Sequence, residues 1–357
     1  MAKYKIYIGT YSKGEGNGLF RGEFDGDSGE IRITNTLDIE NPSYLQLSEN
    51  GNVLYGVSEV GRFENENGGA LFSADISDPE KMRLIDMKCT HGRSPCHLCV
   101  DTDNHVFVAN YSEGSLSLFE TDNSGNIKPC CQSINHFGQS INPHRQESSH
   151  IHFAELILGK YLAVCDLGLD KVFLYPYFVN PHQNLNGLIT DAKAIDCPPG
   201  SGPRHLTLSH SIDNMRYLYV LTEMGNTVLT YKWNGGHGDV EFELLQEIPT
   251  LPPECTVKST AAAIHISPDG KYLGASNRGA DCITIFKIQE NGELELSRYI
   301  TTDKEPRDFR FSPDGRYILT ANQESDCVSV CNFENDALNR SGVSIPKPVC
   351  ILFGGEI

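Results

Sequence analysis

Residues 263–278 read AIHISPDGKYLGASNR, and residues 308–323 read DFRFSPDGRYILTANQ. Both segments alternate apolar and polar side chains, turn at Ser-Pro-Asp-Gly and then alternate again. This pattern predicts two antiparallel strands joined by a tight turn. Each segment is followed by Asp-Cys and a further alternating run. Self-similarity at a period of roughly 40 to 60 residues indicates a repeat architecture.

Equivalent openings of this unit recur along the whole chain, at residues 42, 95, 150, 203, 261, 306 and 348. The units add a third alternating strand, such as residues 228–233, and a more polar fourth one, such as residues 294–298. Four strands of this kind make one propeller blade. The sequence therefore predicts an all-β fold: a seven-bladed β-propeller with four antiparallel strands per blade, forming a single domain over residues 1–357.

The two ends of the chain predict how the propeller closes. Residues 4–37 contain only three strand-like segments and lack the opening one, which residues 348–353 can supply. Because an exposed sheet edge favours aggregation, pairing the last strand with the first blade removes two such edges together. We therefore expect the C-terminal strand to complete the N-terminal blade.

Composition and charge exclude several classes of partner. The formal net charge of −18 repels phosphate backbones and anionic lipid surfaces, so we expect neither nucleic acid nor membrane binding. The first residues lack the apolar core of a signal peptide, and no apolar run is long enough to span a bilayer. The twelve cysteines are scattered, which favours reduced thiols and a cytoplasmic protein. Cys96 and Cys99 lie in an apparent strand, where residues three apart face opposite ways, and this disfavours a metal or redox pair.

The predicted strand order brings candidate functional residues to one end of the propeller. The start of each first strand and the end of each second strand meet at the same mouth of the central channel. The long connections 60–69, 137–149 and 250–260 fall on this face as walls or lids. The residues predicted there are Glu59, His97, Asn110, Tyr111, His152, Arg204, His205, Glu223, Asn277, Arg278, Arg307, Asp308 and Gln323. The concentration of arginines, histidines and glutamates at this mouth of an acidic protein indicates a functional site.

Each of these residues also has an architectural alternative. Asn110 and Asn277 recur at one repeat position, so they can bond the turn backbone instead of a ligand. Arg307 shares the position of Arg204 and can pin adjacent blades. His97, His152 and His205 can cap the channel through backbone hydrogen bonds. Glu223 can form an ion pair with Arg204 or Arg278 that only stabilises the fold. His152, Glu223 and Arg278 are singular within the repeat, which favours function.

Several short motifs together resemble a known family, the propeller-type lactonases. They are Ala109-Asn-Tyr-Ser-Glu-Gly-Ser115, the His-x-His at 150 and 152, Gly202-Pro-Arg-His205, Leu221-Thr-Glu223 and Ser276-Asn-Arg278. The resemblance covers essentially the whole chain and extends to the bacterial 6-phosphogluconolactonases and the fungal carboxy-cis,cis-muconate cyclase. The chain departs from the family pattern at residues 156–159, where a Pro-Asp-Gly turn is usual, and at Ser149, where a proline is usual.

The resemblance implies an activity and a set of catalytic residues. The activity is hydrolysis of a sugar lactone, 6-phospho-D-glucono-1,5-lactone, to 6-phosphogluconate in the pentose phosphate pathway, with no cofactor and no metal. The catalytic set is His152, Arg204, Glu223 and Arg278. The partner is then a small anionic sugar lactone, and the protein is expected to be a monomer or a weak homo-oligomer. Substrate binding is expected from Arg307, Asn110, Tyr111, His97, Asn277, Gln323 and Glu59.

Two questions stay open at the level of sequence. Either His152 or Glu223 can be the general base, and either Arg204 or Arg278 can stabilise the oxyanion. The alternative functions are a muconate-type lactonizing or cycloisomerase activity on a dicarboxylate, and a non-catalytic propeller that binds a metabolite or a protein partner.

Overall fold

The computed structural model describes residues 2–14, 16–177, 192–211, 215–235, 240–334 and 338–357. The chain divides into two compact units. The N-terminal unit comprises Lys3–Phe24, Arg32–Pro199 and Leu352–Ile357, and the C-terminal unit comprises Asp25–Ile31 and Gly200–Ile351, with Ala2. The prediction of a single domain over residues 1–357 stays a prediction.

The described residues form seven four-stranded antiparallel sheets, a two-stranded hairpin and one 3₁₀ turn, Gln323–Ser325. The strands are β1 (Lys3–Thr10), β2 (Leu19–Asp25), β3 (Ile31–Leu37), β4 (Pro42–Leu47), β5 (Val53–Ser58), β6 (Arg62–Phe63), β7 (Glu66–Asn67), β8 (Ala70–Asp75), β9 (Arg83–Cys89), β10 (Pro95–Val100), β11 (His105–Asn110), β12 (Ser115–Glu120), β13 (Gln132–Asn135), β14 (Ile151–Ile157), β15 (Tyr161–Asp166), β16 (Lys171–Pro176), β17 (Lys193–Asp196), β18 (Pro203–Leu208), β19 (Arg216–Thr222), β20 (Thr227–Gly235), β21 (Val240–Pro249), β22 (Thr260–Ile266), β23 (Tyr272–Arg278), β24 (Cys282–Ile288), β25 (Leu294–Thr301), β26 (Pro306–Phe311), β27 (Tyr317–Asn322), β28 (Cys327–Asn332), β29 (Leu338–Ser344) and β30 (Pro348–Glu356).

Each four-stranded sheet is one blade, and the seven-bladed propeller predicted from the repeats is confirmed. The strand orders are β30-β1-β2-β3 in blade 1, β4-β5-β8-β9 in blade 2, β10 to β13 in blade 3, β14 to β17 in blade 4, β18 to β21 in blade 5, β22 to β25 in blade 6 and β26 to β29 in blade 7. The C-terminal strand completes the N-terminal blade, as expected. Within the N-terminal unit, the Phe353 ring packs edge-on against Tyr4 and Phe24, with ring centroids 6.2 and 5.7 Å away.

Apolar cores fill the space between successive blades within each unit. In the N-terminal unit, the core between blades 2 and 3 includes Tyr55 and Phe119. In the C-terminal unit, Tyr219 and Phe286 lie between blades 5 and 6, and Phe309 lies in the core of blades 6 and 7. Because a second strand such as β5 packs on both faces, all six of its residues are buried. The last strands carry more polar and exposed residues, as the fourth strand of the repeat predicts.

The first strand of a blade enters its sheet through two local irregularities that recur. The residue before the opening proline has a left-handed backbone in five blades, although such a residue normally avoids that conformation. These residues are Asn41, Ser94, Gly202, Glu305 and Lys347, with φ of 46°, 54°, 64°, 59° and 40°.

Directly after the position of the opening proline, the pairing of first and second strands skips a residue, which is a β-bulge. The skipped residues are Ser43, Cys96, His152, Arg204 and Arg307, and in blade 6 the pairing skips both Ala262 and Ala263. Because a bulge redirects a side chain, the repeat sets His152, Arg204 and Arg307 apart from the regular ladder.

A buried polar network ties the first half of β30 to blade 7 within the C-terminal unit. Asp308 accepts the backbone N–H of Ile351 at 2.9 Å, and Arg310 Nε donates to the Ile351 carbonyl at 3.0 Å. His265 bridges the two side chains, with Nε2 3.0 Å from Asp308 Oδ1 and Nδ1 3.1 Å from Arg310 Nη1. Although burial opposes it, the charge of Arg310 and the His265 hydrogen bond hold the pKa of Asp308 below its usual value.

All twelve cysteines are free thiols. Cys96 Sγ lies 3.6 Å from the His152 carbonyl, whereas Cys99 is buried in the apolar core of blades 3 and 4. Within the described ranges, no helix is long and apolar enough to cross a membrane.

Candidate active site

The C-terminal unit contains a buried carboxylate held by two arginines. Glu223 is 4% exposed and follows the last residue of β19. Its Oε2 lies 3.0 Å from Arg204 Nε and 3.1 Å from Arg278 Nη2. Sequence reasoning predicted these three residues, and the structure brings them together. With one carboxylate and two guanidinium groups, the cluster carries a formal charge of +1 in a strongly acidic chain.

Backbone contacts fix the position of this cluster. The Glu223 N–H donates to the Gly202 carbonyl at 2.7 Å, and the Glu223 carbonyl accepts from Ala261 at 3.0 Å. Arg278 Nη2 donates to the Ala261 carbonyl at 3.3 Å, and Arg204 Nη1 donates to the carbonyl beside it, that of Ala262. The bulge that opens blade 6 therefore supplies carbonyl acceptors to both guanidinium groups.

The two arginines differ in their access to solvent. The Arg204 side chain is 3% exposed and the Glu223 side chain is 5% exposed, whereas the Arg278 side chain is 13% exposed. Nε of Arg278 is buried and makes no hydrogen bond to any described residue. Arg278 is therefore the member of the cluster that a small anionic ligand reaches most easily.

A further carboxylate, that of Glu305, interacts with the arginines of this site and was not predicted from the sequence. Glu305 is half-buried, and burial raises the pKa of its carboxyl against the opposing charges of Arg278 and Arg307. Its backbone carbonyl accepts from the N–H of Gln323 at 3.0 Å. The available signal was its place directly before the opening proline of blade 7, where the backbone is left-handed. The Glu305 carboxylate thus interacts electrostatically with two predicted site residues, Arg278 and Arg307.

Asn277 and Gln323, also predicted in this unit, differ in their exposure to solvent. The Asn277 side chain is fully buried; its Oδ1 accepts from Thr250 Oγ1 at 2.6 Å, and its Nδ2 donates to Thr284 Oγ1 at 3.1 Å. These contacts do not support the substrate-binding role predicted for Asn277 and favour the architectural alternative. Gln323 is partly exposed and donates through Nε2 to Glu324 at 2.8 Å, so it remains available at the surface.

In the N-terminal unit, His152 is part of an aromatic group. Its ring packs edge-on to Tyr111 at a centroid distance of 5.5 Å, and the His150 ring stacks on the same tyrosine at 4.6 Å. The carboxylate of Asp166 accepts from the Ser149 hydroxyl at 2.6 Å and from the His150 N–H at 2.9 Å. Ser149, at the position where the family usually has proline, therefore donates a hydrogen bond that proline could not make.

A polar cleft of about 470 Å³ adjoins this aromatic group. Tyr111 and His150 line it, together with residues of the predicted long connection 137–149. The lining residues are Arg93, Tyr111, Ser112, His144, Arg145, Glu147, Ser148 and His150. Arg145 Nη2 donates to the Tyr111 hydroxyl at 3.2 Å, and His150 Nε2 lies 3.3 Å from Glu147. The cleft therefore presents cationic and hydroxyl groups on the side of Tyr111.

His97, another predicted site residue of this unit, makes its contacts inside the protein. His97 packs between the rings of Tyr44 and Phe153, at 3.9 and 4.2 Å, and its Nδ1 accepts from the Ala154 N–H at 3.4 Å. Unlike His152 it pairs in the regular ladder, so the two histidines occupy different positions in their blades. These contacts favour the architectural role of His97 over substrate binding.

Asn110 is also fully buried, and its amide donates to Ser115 and Ser117 at 3.2 and 2.9 Å. Glu59 is partly exposed and accepts from the Tyr11 hydroxyl at 2.7 Å. The substrate-binding role predicted for Asn110 is not supported by its contacts, whereas Glu59 keeps a carboxylate near the surface.

Comparison with known proteins agrees with the seven-bladed fold. Residues 5–353 match the model of the family described as lactonase, 7-bladed beta-propeller. The chain belongs to this lactonase family. The family assignment covers both the Glu223 cluster and the His152 group.

Individual members of the lactonase family are similar to the chain along its length. The 6-phosphogluconolactonase of Bacillus subtilis (strain 168) is 31% identical over 365 residues, covering 99% of each chain. The 6-phosphogluconolactonase of Formosa agariphila is 34% identical over 312 residues, covering 85% of each chain. The solved structure of a periplasmic gluconolactonase from Pseudomonas aeruginosa has a TM-score of 0.88 at 31% identity, covering 99% of each chain.

Proposed function

We propose that the chain hydrolyses 6-phospho-D-glucono-1,5-lactone to 6-phosphogluconate, which would place it in the pentose phosphate pathway. The observation that carries the proposal is the buried Glu223 carboxylate held by Arg204 and Arg278 in a chain of the lactonase family. The two 6-phosphogluconolactonase relatives support the choice of a phosphorylated substrate.

Opening a lactone creates negative charge that the enzyme must stabilise. Water attacks the carbonyl carbon while a base takes one of its protons. The ring carbon–oxygen bond then breaks, the base returns that proton to the leaving ring oxygen, which becomes a hydroxyl group, and the new carboxylic acid releases its proton to give a carboxylate. The carbonyl oxygen becomes an oxyanion in between, and preorganised donors at that point lower the barrier. We assign this role to Arg278, because its guanidinium group is the more exposed of the two and is held by Glu223 and Ala261 before substrate binds.

Glu223 and Arg204 act on the reaction through Arg278 in this scheme. The Glu223 carboxylate has both guanidinium groups on one oxygen, which stabilises its ionised form and fixes their planes. A carboxylate so engaged is a poor proton acceptor, so we assign the base to His152. His152 lies in the other compact unit, and its part in the same reaction stays a prediction.

The substrate phosphate needs a cation of its own. We assign it to Arg307, which is partly exposed and, like Arg278, acts electrostatically on Glu305. Arginine suits this task because its planar fork can make two charge-assisted hydrogen bonds to phosphate oxygens. Loss of the phosphate contact is then expected to raise KM more than it lowers kcat.

The experiment is a comparison of three substrates, each corrected for spontaneous hydrolysis. Acid release is followed with fresh 6-phosphogluconolactone and with gluconolactone, and ultraviolet absorbance is followed with a carboxymuconate. The proposal expects the highest kcat/KM with the phosphorylated lactone. A preference for gluconolactone would favour the activity named for the Pseudomonas protein, turnover of the muconate alone would favour the cycloisomerase, and activity on none would favour a binding protein.

Location and association are further proposals. Twelve free thiols support a reducing compartment, so we propose a cytoplasmic protein. The net charge of −18 supports the absence of nucleic-acid and membrane partners. We propose a monomer or weak homo-oligomer, which sedimentation at several concentrations tests.

A further inference from the structure

Blade 2 brings together three side chains of the kinds that bind transition metals. Glu66 lies on β7, Cys89 ends β9, and His91 follows two residues later. One potential ligand atom from each lies within 4.8 Å of the other two. His91 Nδ1 and Glu66 Oε2 are 3.2 Å apart. None of these residues belongs to the site proposed above.

One of the three distances between these ligand atoms is near the value for a tetrahedral cation, and the other two lie within 4.8 Å. Zinc bonds of about 2.0 to 2.3 Å at tetrahedral angles separate neighbouring ligand atoms by roughly 3.3 to 3.8 Å. The distance between His91 and Glu66 already lies near that value. A thiolate, an imidazole and a carboxylate form a mixed donor set that suits Zn²⁺ or Co²⁺ and leaves a fourth position for water.

The backbone holds the two ligand-bearing segments in place without a metal. The Gly69 N–H donates to the Gly92 carbonyl at 2.9 Å, and the Thr90 N–H donates to the Gly69 carbonyl at 2.9 Å. A Cβ on Gly68 would lie 3.0 Å from Cys89 Sγ and 3.0 Å from the backbone nitrogen of His91, so the glycine permits the close approach of these two segments. His91 itself has a left-handed backbone, with φ of 55°. A metal here would therefore require little further ordering of the backbone.

We propose that Glu66, Cys89 and His91 bind one divalent transition-metal ion, Zn²⁺ by preference, and that the ion fastens the β6–β7 hairpin to the end of β9. The competing explanation is an ordinary surface ion pair beside a buried thiol, since the His91 and Glu66 side chains are 50% and 58% exposed.

Cobalt titration of the chelator-treated full-length protein distinguishes these explanations. We expect one Co²⁺ per chain, a near-ultraviolet sulfur-to-cobalt charge-transfer band, and displacement of the cobalt by Zn²⁺. Cys89→Ser is expected to abolish the band. His91→Asn and Glu66→Gln are expected to weaken binding at least about tenfold, because even loss of an outer-shell partner has that effect. Asn tolerates the left-handed backbone at position 91, and both positions are exposed, so these variants should fold.

Matched controls and a second measurement complete the test. Cys255→Ser and His144→Asn change a thiol and an exposed imidazole elsewhere, and should leave cobalt binding unchanged. Zn²⁺ should also slow trypsin cleavage after Arg62, an exposed residue of the hairpin, in the wild type but not in His91→Asn. Absence of the band in the wild type, or its persistence in Cys89→Ser, would overturn the proposal. Neither measurement depends on lactonase activity.

Discussion

Acidification should destabilise the C-terminal unit through one partly buried histidine. Burial and the positive charge of Arg310 lower the pKa of His265 to about 4, against an opposing hydrogen bond to Asp308. The geometry gives the reason: Nδ1 faces Arg310 Nη1 at 3.1 Å, and this nitrogen can accept that hydrogen bond only while it carries no proton. At a pH between about 4 and 6.5, His265 is therefore mostly protonated in the unfolded chain and mostly neutral in the folded chain.

The size of the effect follows from proton linkage. An unfolded histidine has a pKa of about 6.5, so between that value and about 4 the unfolded state holds more protons and stability falls as the pH falls. At pH 5 the unfolded side chain is almost fully protonated and the folded one is mostly neutral. Relative to pH 8, His265 should then cost about 2 kcal/mol of the free energy of unfolding.

Urea unfolding at pH 8 and pH 5 measures this loss, with the fluorescence of the single tryptophan, Trp233, as the probe. Trp233 lies on β20, in the same unit as His265. His265→Gln removes the titrating group and should lose about 2 kcal/mol less than the wild type over this interval. The exposed His210 in the same unit provides the control His210→Gln, which should behave like the wild type. Equal losses in His265→Gln and wild type would refute the reasoning.

Two further substitutions test the architecture around the sites. Asn277→Ala removes the hydrogen bonds to Thr250 and Thr284, and should lower the free energy of unfolding by roughly 1 to 3 kcal/mol in urea titrations while leaving KM for the lactone within about twofold; a large rise in KM with unchanged stability would restore the substrate-binding role. Gly56→Ala places a Cβ 2.3 Å from the Phe72 ring and 2.9 Å from Leu45, so it should cost about 1 to 3 kcal/mol by the same method, and a neutral result would show that the blade yields easily.

The sequence predicted the blades and the central acidic residue of the cluster because both depend on repetition. Strand alternation locates each blade, with the Pro-Asp-Gly turns as a further signal in blades 6 and 7, and Glu223 is visible because it breaks the repeat. A two-residue period cannot reveal a bulge of one residue, however. This is why the sequence could not show that His97 lies in the regular ladder whereas the bulge redirects His152.

Hydrogen-bond partners distant in sequence were equally inaccessible. The Asn110 amide donates to Ser117 on the following strand, and the Asn277 amide donates to the Thr250 carbonyl in the connection before its own blade. Strand order alone does not specify these acceptors. Glu305 was missed because its position is defined by a left-handed backbone before proline, a conformation that composition does not indicate.

The most direct test of the proposed site is the kcat of Arg278→Ala on 6-phosphogluconolactone, compared with that of wild type and of Arg316→Ala. Arg316 is an exposed arginine of the same unit that pairs with Asp27 and Asp314 on the surface. Trp233 fluorescence should confirm that both variants are folded. Loss of an oxyanion donor predicts a kcat at least about 10²-fold lower in Arg278→Ala and close to wild type in Arg316→Ala. A folded Arg278→Ala protein with a kcat within about threefold of wild type would contradict the assignment of the Glu223 cluster as the active site.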